Sequence, residues 1–198
     1  MNLKEYKKVS KFSYLKYCKY LKNKYGRSKG NFFNVYWSQN QKIKRTDEGI
    51  VIHHIMENKA IMLARKDYAM QLPYKWQHAN KLVYCDLLEH LFLHILICEN
   101  SLNDKNKNTL FGLGGIINFL VPELNDVYSG WITKQSWRLN THRNICNDLD
   151  VYLMLIKRFK NNFPKYENYL YKSFSEIYPI DNWVKEKDKR LFTKIKNL

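Results

Sequence analysis

Five of the six histidines in this 198-residue chain fall between residues 46 and 100: His53, His54, His78, His90 and His94. His90 and His94, in EHLFLH, are four residues apart, so on a helix both imidazoles leave one face and can share a metal ion. The same spacing on a leucine-rich segment also suits two core histidines with satisfied ring nitrogens. HLFLH has no glutamate directly after its first histidine, which excludes the HExxH zinc-protease arrangement. His53 and His54 lie in GIVIHHI, a β-branched run that predicts a strand over Gly49–Ile55. Adjacent strand residues face opposite ways, so both can serve one site only at a frayed strand end. Imidazoles brought together in this way are candidate ligands for one metal ion.

These residues need a scaffold. After the first strand, residues 56–79 show no clean period and contain Pro73, which predicts a long irregular loop; LVYC (Leu82–Cys85) predicts a second short strand. Asp86 is placed to cap a largely buried helix running to about Glu99, carrying Leu87, Leu88, Leu91, Leu93 and Leu96. Upstream, Leu3, Tyr6, Val9, Phe12, Leu15, Cys18, Leu21 and Tyr25 form one apolar stripe at helical spacing, predicting an amphipathic basic helix ending near Gly26. Downstream of the polar stretch NSLNDKNKN, three or four helices are predicted, separated by Pro122, Pro164 and Pro179. The cluster Gly112/Gly114/Gly115 is a weak match to a phosphate-binding pattern.

Charge divides the chain in the same way. Lys and Arg number 34 against 18 Asp and Glu, a formal net charge of +16. Residues 1–45 hold thirteen basic residues against Glu5 alone, whereas residues 46–100 hold five against seven acids. With 45% hydrophobic and 15% aromatic residues the chain is a folding sequence, so the charge points to an acidic partner rather than to disorder. Nucleic acid is the first candidate and an anionic membrane surface the rival. Membrane insertion is excluded by the shortness of the longest apolar run, Leu91–Cys98, which includes His94. The N-terminus lacks a signal-peptide pattern, and Cys18, Cys85, Cys98 and Cys146 are too dispersed for a metal knuckle, so a soluble, cytoplasmic chain with reduced thiols is expected.

The run IVIHHI, then ANKLVYC, then EHLFLH resembles the signature of HNH (ββα-metal, His-Me finger) endonucleases, especially those of phages and mobile elements. The likeness covers residues 48–98. It implies an α+β fold: a small ββα-metal core at 46–100 between a basic, largely helical DNA-contacting arm at 1–45 and a helical C-terminal region at 101–198. It also implies that His54 is the general base, that His53, His90 and His94 bind one divalent metal, and that Asn80 ties the loop across the hairpin. Asn80 stands ten residues before His90 where the family has nine, so strict register puts Lys81 in that position and Asn80 needs a bulge. Family behaviour implies Mg²⁺ or Mn²⁺, and three imidazoles also accept Zn²⁺, Ni²⁺ or Co²⁺.

The function so implied is hydrolysis of DNA phosphodiesters with a 3′ leaving oxygen and a 5′-phosphate product. One such site per chain cuts two strands as a homodimer or by sequential nicks. Two alternatives remain: a nucleic-acid-binding protein whose metal is purely structural, and a nuclease of structured RNA. Glu89 is read as a surface charge or a partner of a ligand histidine, His78 as a loop residue and His142 as a helix N-terminal residue. Arg65, Lys66 and Lys75 are loop residues that are either solvated or in contact with phosphates.

Overall fold

The computed structural model describes residues 1–102, 110–131, 133–175 and 182–198. It is mixed and mostly helical, with one two-stranded antiparallel sheet among the described residues.

The basic N-terminal segment forms two helices, α1 (Leu3–Val9) and α2 (Tyr14–Tyr25), where the stripe predicts one. Asn2 Oδ1 accepts from Glu5 N at 2.9 Å to start α1, and Gly26, at φ 82°, ends α2. The break at residues 10–13 re-phases the chain. Tyr6, Val9, Tyr14, Tyr17, Cys18 and Leu21 turn inward, while Leu3 and Leu15 of the predicted stripe are left 36% and 63% exposed. The break lets Tyr6, Tyr14 and Tyr17 all be buried, and the gain is large, about 1.5–3 kcal/mol per large apolar side chain buried.

Strand β1 (Val51–His54) pairs with β2 (Leu82–Cys85), with His53 opposite Val83 and His54 opposite Leu82. The expected strand is thus shortened at both ends. The loop between the strands holds the helical turns Ile55–Asn58, α3 (Lys66–Ala69), Tyr74–Gln77 and Ala79–Lys81.

Helix α4 (Leu87–Leu102) follows, and Asp86 caps it as expected. Asp86 Oδ1 accepts from Glu89 N and Glu89 Oε2 accepts from Asp86 N, both at 2.8 Å, a reciprocal cap. Glu89 is therefore no surface charge: it is fully buried, and Lys24 Nζ donates to it at 2.7 Å, while the N-terminal ammonium of Met1 pairs with Asp86. Burial and the neighbouring Asp86 push the Glu89 carboxyl up to about 7, against the pull of Lys24. Because α4 is apolar around most of its circumference it is a central helix. It contacts α2, the turn after β1 and α8 (Leu149–Asn162), and one hydrophobic cluster joins residues from all three segments of the chain.

Past residue 110, α5 (Leu113–Gly115) runs through a π-helical turn, Ile116–Leu120, into α6 (Val121–Tyr128). Pro122 does not separate two helices here: the chain stays helical through it, and the π-helical turn Ile116–Leu120 directly precedes it. Then come α7 (Ser136–Arg143), α8, a long 3₁₀ segment starting at Pro164, α9 (Lys172–Ser175) and α10 (Asn182–Lys196). Pro179 lies outside the described residues, as does most of the polar stretch before Leu110. Among the described residues no helix is long and apolar enough to cross a membrane. All four cysteines are free thiols.

Candidate metal centre

His53 leaves β1 toward the main core, and its ring is fully buried. The Tyr14 hydroxyl donates to Ile55 O at 2.9 Å and lies 2.8 Å from His53 Nε2. Having one proton and spending it on Ile55, Tyr14 accepts from His53 Nε2–H. The lone pair of His53 is therefore on Nδ1, which is buried, has no hydrogen-bond partner and lies 3.6 Å from Glu57 Oε2.

His94 repeats the pattern from the opposite side. Its Nδ1 donates to the carbonyl of Gly112 at 3.0 Å, leaving the Nε2 lone pair 3.2 Å from Glu57 Oε2. His90 stands between, its ring centroid 5.1 Å from that of His53 and 4.9 Å from that of His94. His53, Glu57, His90 and His94 each offer one ligand atom, and these atoms lie within 4.8 Å of one another.

Two imidazoles whose outer nitrogens are tied to a tyrosine and a carbonyl, with inner lone pairs facing a carboxylate, are oriented as metal ligands are. An unpartnered buried nitrogen costs about 1–3 kcal/mol, and a carboxylate facing lone pairs adds repulsion. A cation removes both costs, so these residues fit a divalent metal. Burial resists charge on His53 and pushes its imidazole down to about 3, despite Glu57; burial and the neighbouring His94 and His53 likewise hold His90 well below the usual range. Burial also opposes the Glu57 carboxylate, but once His53 and His94 are protonated their charge more than offsets this and holds Glu57 well below the ordinary range.

His54, one residue on, projects from the other face of the hairpin, where its ring meets Phe32 with centroids 4.5 Å apart. It is the last residue of β1, and the helical turn that follows brings Glu57 back across the strand end, 3.7 Å from His54 Nδ1. Glu57 thereby touches both members of the adjacent pair, which no residue on a continued strand could do. Gln77 Nε2 donates to Leu63 O at 3.2 Å, so its Oε1, 3.0 Å from His54 Nε2, accepts from that ring N–H. The His54 lone pair is on Nδ1. Burial holds its imidazole below the usual value, against the pull of Glu57 and Gln77.

The amide that bridges His54 to the loop is thus Gln77's. Asn80 lies exposed in the turn Ala79–Lys81, its backbone carbonyl accepting from Lys22 Nζ at 2.7 Å. Neither Asn80 nor Lys81 is hydrogen-bonded to His54, whose ring bonds to Gln77. His78 packs edge-on against Tyr74, and His142, in the last turn of α7 rather than its first, pairs with Glu123 at 3.1 Å.

Glu57, Tyr14 and Gln77 escape reading by pattern: Glu57 depends on the strand ending at His54, and the other two reach the site across long sequence separations. The glycines also gain a role. Gly112 supplies the carbonyl that orients His94 from a left-handed conformation at φ 85°, and a Cβ on Gly115 would collide with the His94 ring.

The cluster opens on one side. Glu57, His90 and His94 line a cavity of about 710 Å³ whose other walls are mainly apolar. Compared with protein-family models, with curated proteins and with solved structures, the chain matches none.

Proposed function

We propose that this protein is a metal-dependent endonuclease of the HNH type that hydrolyses DNA phosphodiesters. The observation that carries the reading is the convergence of His53, from the end of the first strand, with His90 and His94 on the helix after the second strand, a ring nitrogen of each within 4.8 Å of the others. Three imidazoles and a carboxylate suit Mn²⁺, Zn²⁺, Ni²⁺ or Co²⁺, and Mg²⁺ is the other candidate by family likeness. When bound, such an ion supplies positive charge for the phosphoryl and leaving oxygens.

The chain's own part lies with His54, Gln77 and Glu57. By accepting the Nε2 proton, Gln77 keeps the basic nitrogen of His54 on the Glu57 side. An imidazole held neutral in this way can take a proton from water at neutral pH. Glu57 lines the cavity and stands next to His54 Nδ1, so its position governs whether water approaches that nitrogen. The thirteen basic residues of the first 45 favour a polyphosphate substrate.

A structural metal site is the second reading, favoured by Glu57 as a fourth protein donor, because closed structural zinc sites have four. The cavity at the cluster speaks for the catalytic one. Supercoiled plasmid incubated with Mg²⁺ or Mn²⁺, with EDTA as control, separates them: metal-dependent nicks carrying 5′-phosphate ends support the nuclease, and tight metal binding without cleavage supports the structural site.

A further inference from the structure

The histidine cluster lies recessed at the wall of its cavity, with side-chain exposures of 0% for His53, 8% for His94 and 18% for Glu57. Large apolar side chains line the same cavity and yet stand out into solvent: Ile61 at 55%, Phe119 at 60% and Trp137 at 45% exposure. Three such groups at one opening call for an occupant with an apolar face. Cations accompany them. Arg65 lines the cavity, paired with Asp67 at 3.2 Å, and the Arg138 guanidinium lies 5.1 Å from the Trp137 ring with its Nε 3.7 Å from Glu123 Oε1, also of the cavity lining.

We infer that the site takes an unpaired DNA strand, one of whose bases enters this cavity and stacks on Trp137 and Phe119 while the adjoining phosphate reaches the cluster. The identification of the phosphate's destination rests on the nuclease reading. Duplex DNA keeps its base faces stacked against one another, so only an unpaired or extruded nucleotide can present one to an aromatic ring. A volume of about 710 Å³ lies within the range of small-molecule pockets, roughly 300–1,000 Å³, and admits one base with its sugar but not a double helix. Aromatic rings interleaved with arginines match that ligand on both its flat apolar face and its charged backbone.

Fluorescence anisotropy in EDTA, where no cleavage intervenes, tests the inference with a labelled single strand and the duplex of the same sequence. The full-length protein should bind the single strand about ten-fold more tightly. Trp137→Ala and Phe119→Ala should each weaken the single strand by about ten-fold, the cost of one lost stacking platform, and leave the duplex unchanged. Trp131→Ala, an equally exposed tryptophan outside the cavity lining, should change neither. Circular dichroism confirms that each variant folds. Equal affinity for the two ligands, or equal losses for Trp137→Ala and Trp131→Ala, would overturn the inference. A parallel Mn²⁺ cleavage assay keeps the two proposals apart: selective single-strand binding without cleavage sinks the nuclease alone, whereas duplex cleavage indifferent to Trp137→Ala sinks the unpaired strand alone.

Discussion

The Tyr14 hydroxyl, 2.8 Å from His53 Nε2, joins the basic N-terminal helices to the histidine cluster. It sets the tautomer of His53 from a position 39 residues away, so α2 is part of the site and not merely an attached arm. Tyr14→Phe removes the acceptor and leaves the ring N–H of a buried histidine unpaired, at a cost of about 1–3 kcal/mol. Metal affinity should fall about 10–100-fold, the usual consequence of losing an outer partner of a ligand histidine. Calorimetric titration with Zn²⁺ or Mn²⁺ reads this directly, and unchanged affinity would mean that Tyr14 serves packing alone.

Gly115→Ala tests the geometry without touching a donor atom. The new methyl collides with the His94 ring, so the imidazole must move and metal affinity should drop at least about ten-fold. Gly114→Ala is the control. Its Cβ meets nothing closer than Asn118 Nδ2 at 3.8 Å, so metal binding should be unchanged and stability higher by up to about 1 kcal/mol through helix propensity. Equal metal affinities in the two variants would refute the His94 placement.

His54 and His90 should separate in one cleavage assay across a metal titration. His54→Ala should retain metal binding while cleavage falls by about two to four orders of magnitude, the loss expected for a positioned base. His90→Ala should weaken the metal itself, regain part of its activity at high metal concentration, and show a smaller metal-induced rise in Tm. Rescue of His54→Ala by metal would exchange the two roles.

The metal-free protein should lose stability as pH falls. His53, His54 and His90 are held below an ordinary imidazole pKa, His53 down to about 3, chiefly by burial. From about pH 6.5 downward the unfolded chain binds protons that the folded chain refuses. The contribution of these groups is therefore complete above about 6.5 and lost progressively toward the low folded values. Glu57, also held low, adds a loss in the same direction at more acid pH. Thermal melts in EDTA between pH 7.5 and 5 should show Tm falling, and a flat profile would contradict the burial of these rings.

Replacing Lys4, Lys7, Lys8 and Lys11 by glutamine should weaken DNA binding on every sequence. All four are exposed on or just after α1 and so removable without repacking. The slope of log affinity against log salt should become shallower by up to about 3–4, the count of lost phosphate contacts. An unchanged slope would assign this face to solvent.

Much of the scaffold is legible locally. The two short strands follow from β-branched runs, the start of α4 from Asp86 as its cap, and the sharing of one face by His90 and His94 from helical periodicity. Local pattern misplaces features where tertiary packing competes with it. The stripe at 3–25 is consistent with one helix, but burying Tyr14 and Tyr17 beside α4 requires a break. Glu89 reads as a surface charge because its ion-pair partner, Lys24, lies 65 residues away in sequence.

The division at the site itself has the same origin. The residue types that can bind a metal and their helical spacing are properties of neighbouring positions, fixed by backbone periodicity, and the sequence alone determines them. Which nitrogen of each imidazole is free is a property of contacts across the fold: Tyr14 with His53, Gly112 with His94, Gln77 with His54. The fourth donor, Glu57, enters only because β1 stops at His54 and turns, and only the tertiary structure decides where a strand of four residues ends, since a strand that short is held by its neighbours and not by its own propensity.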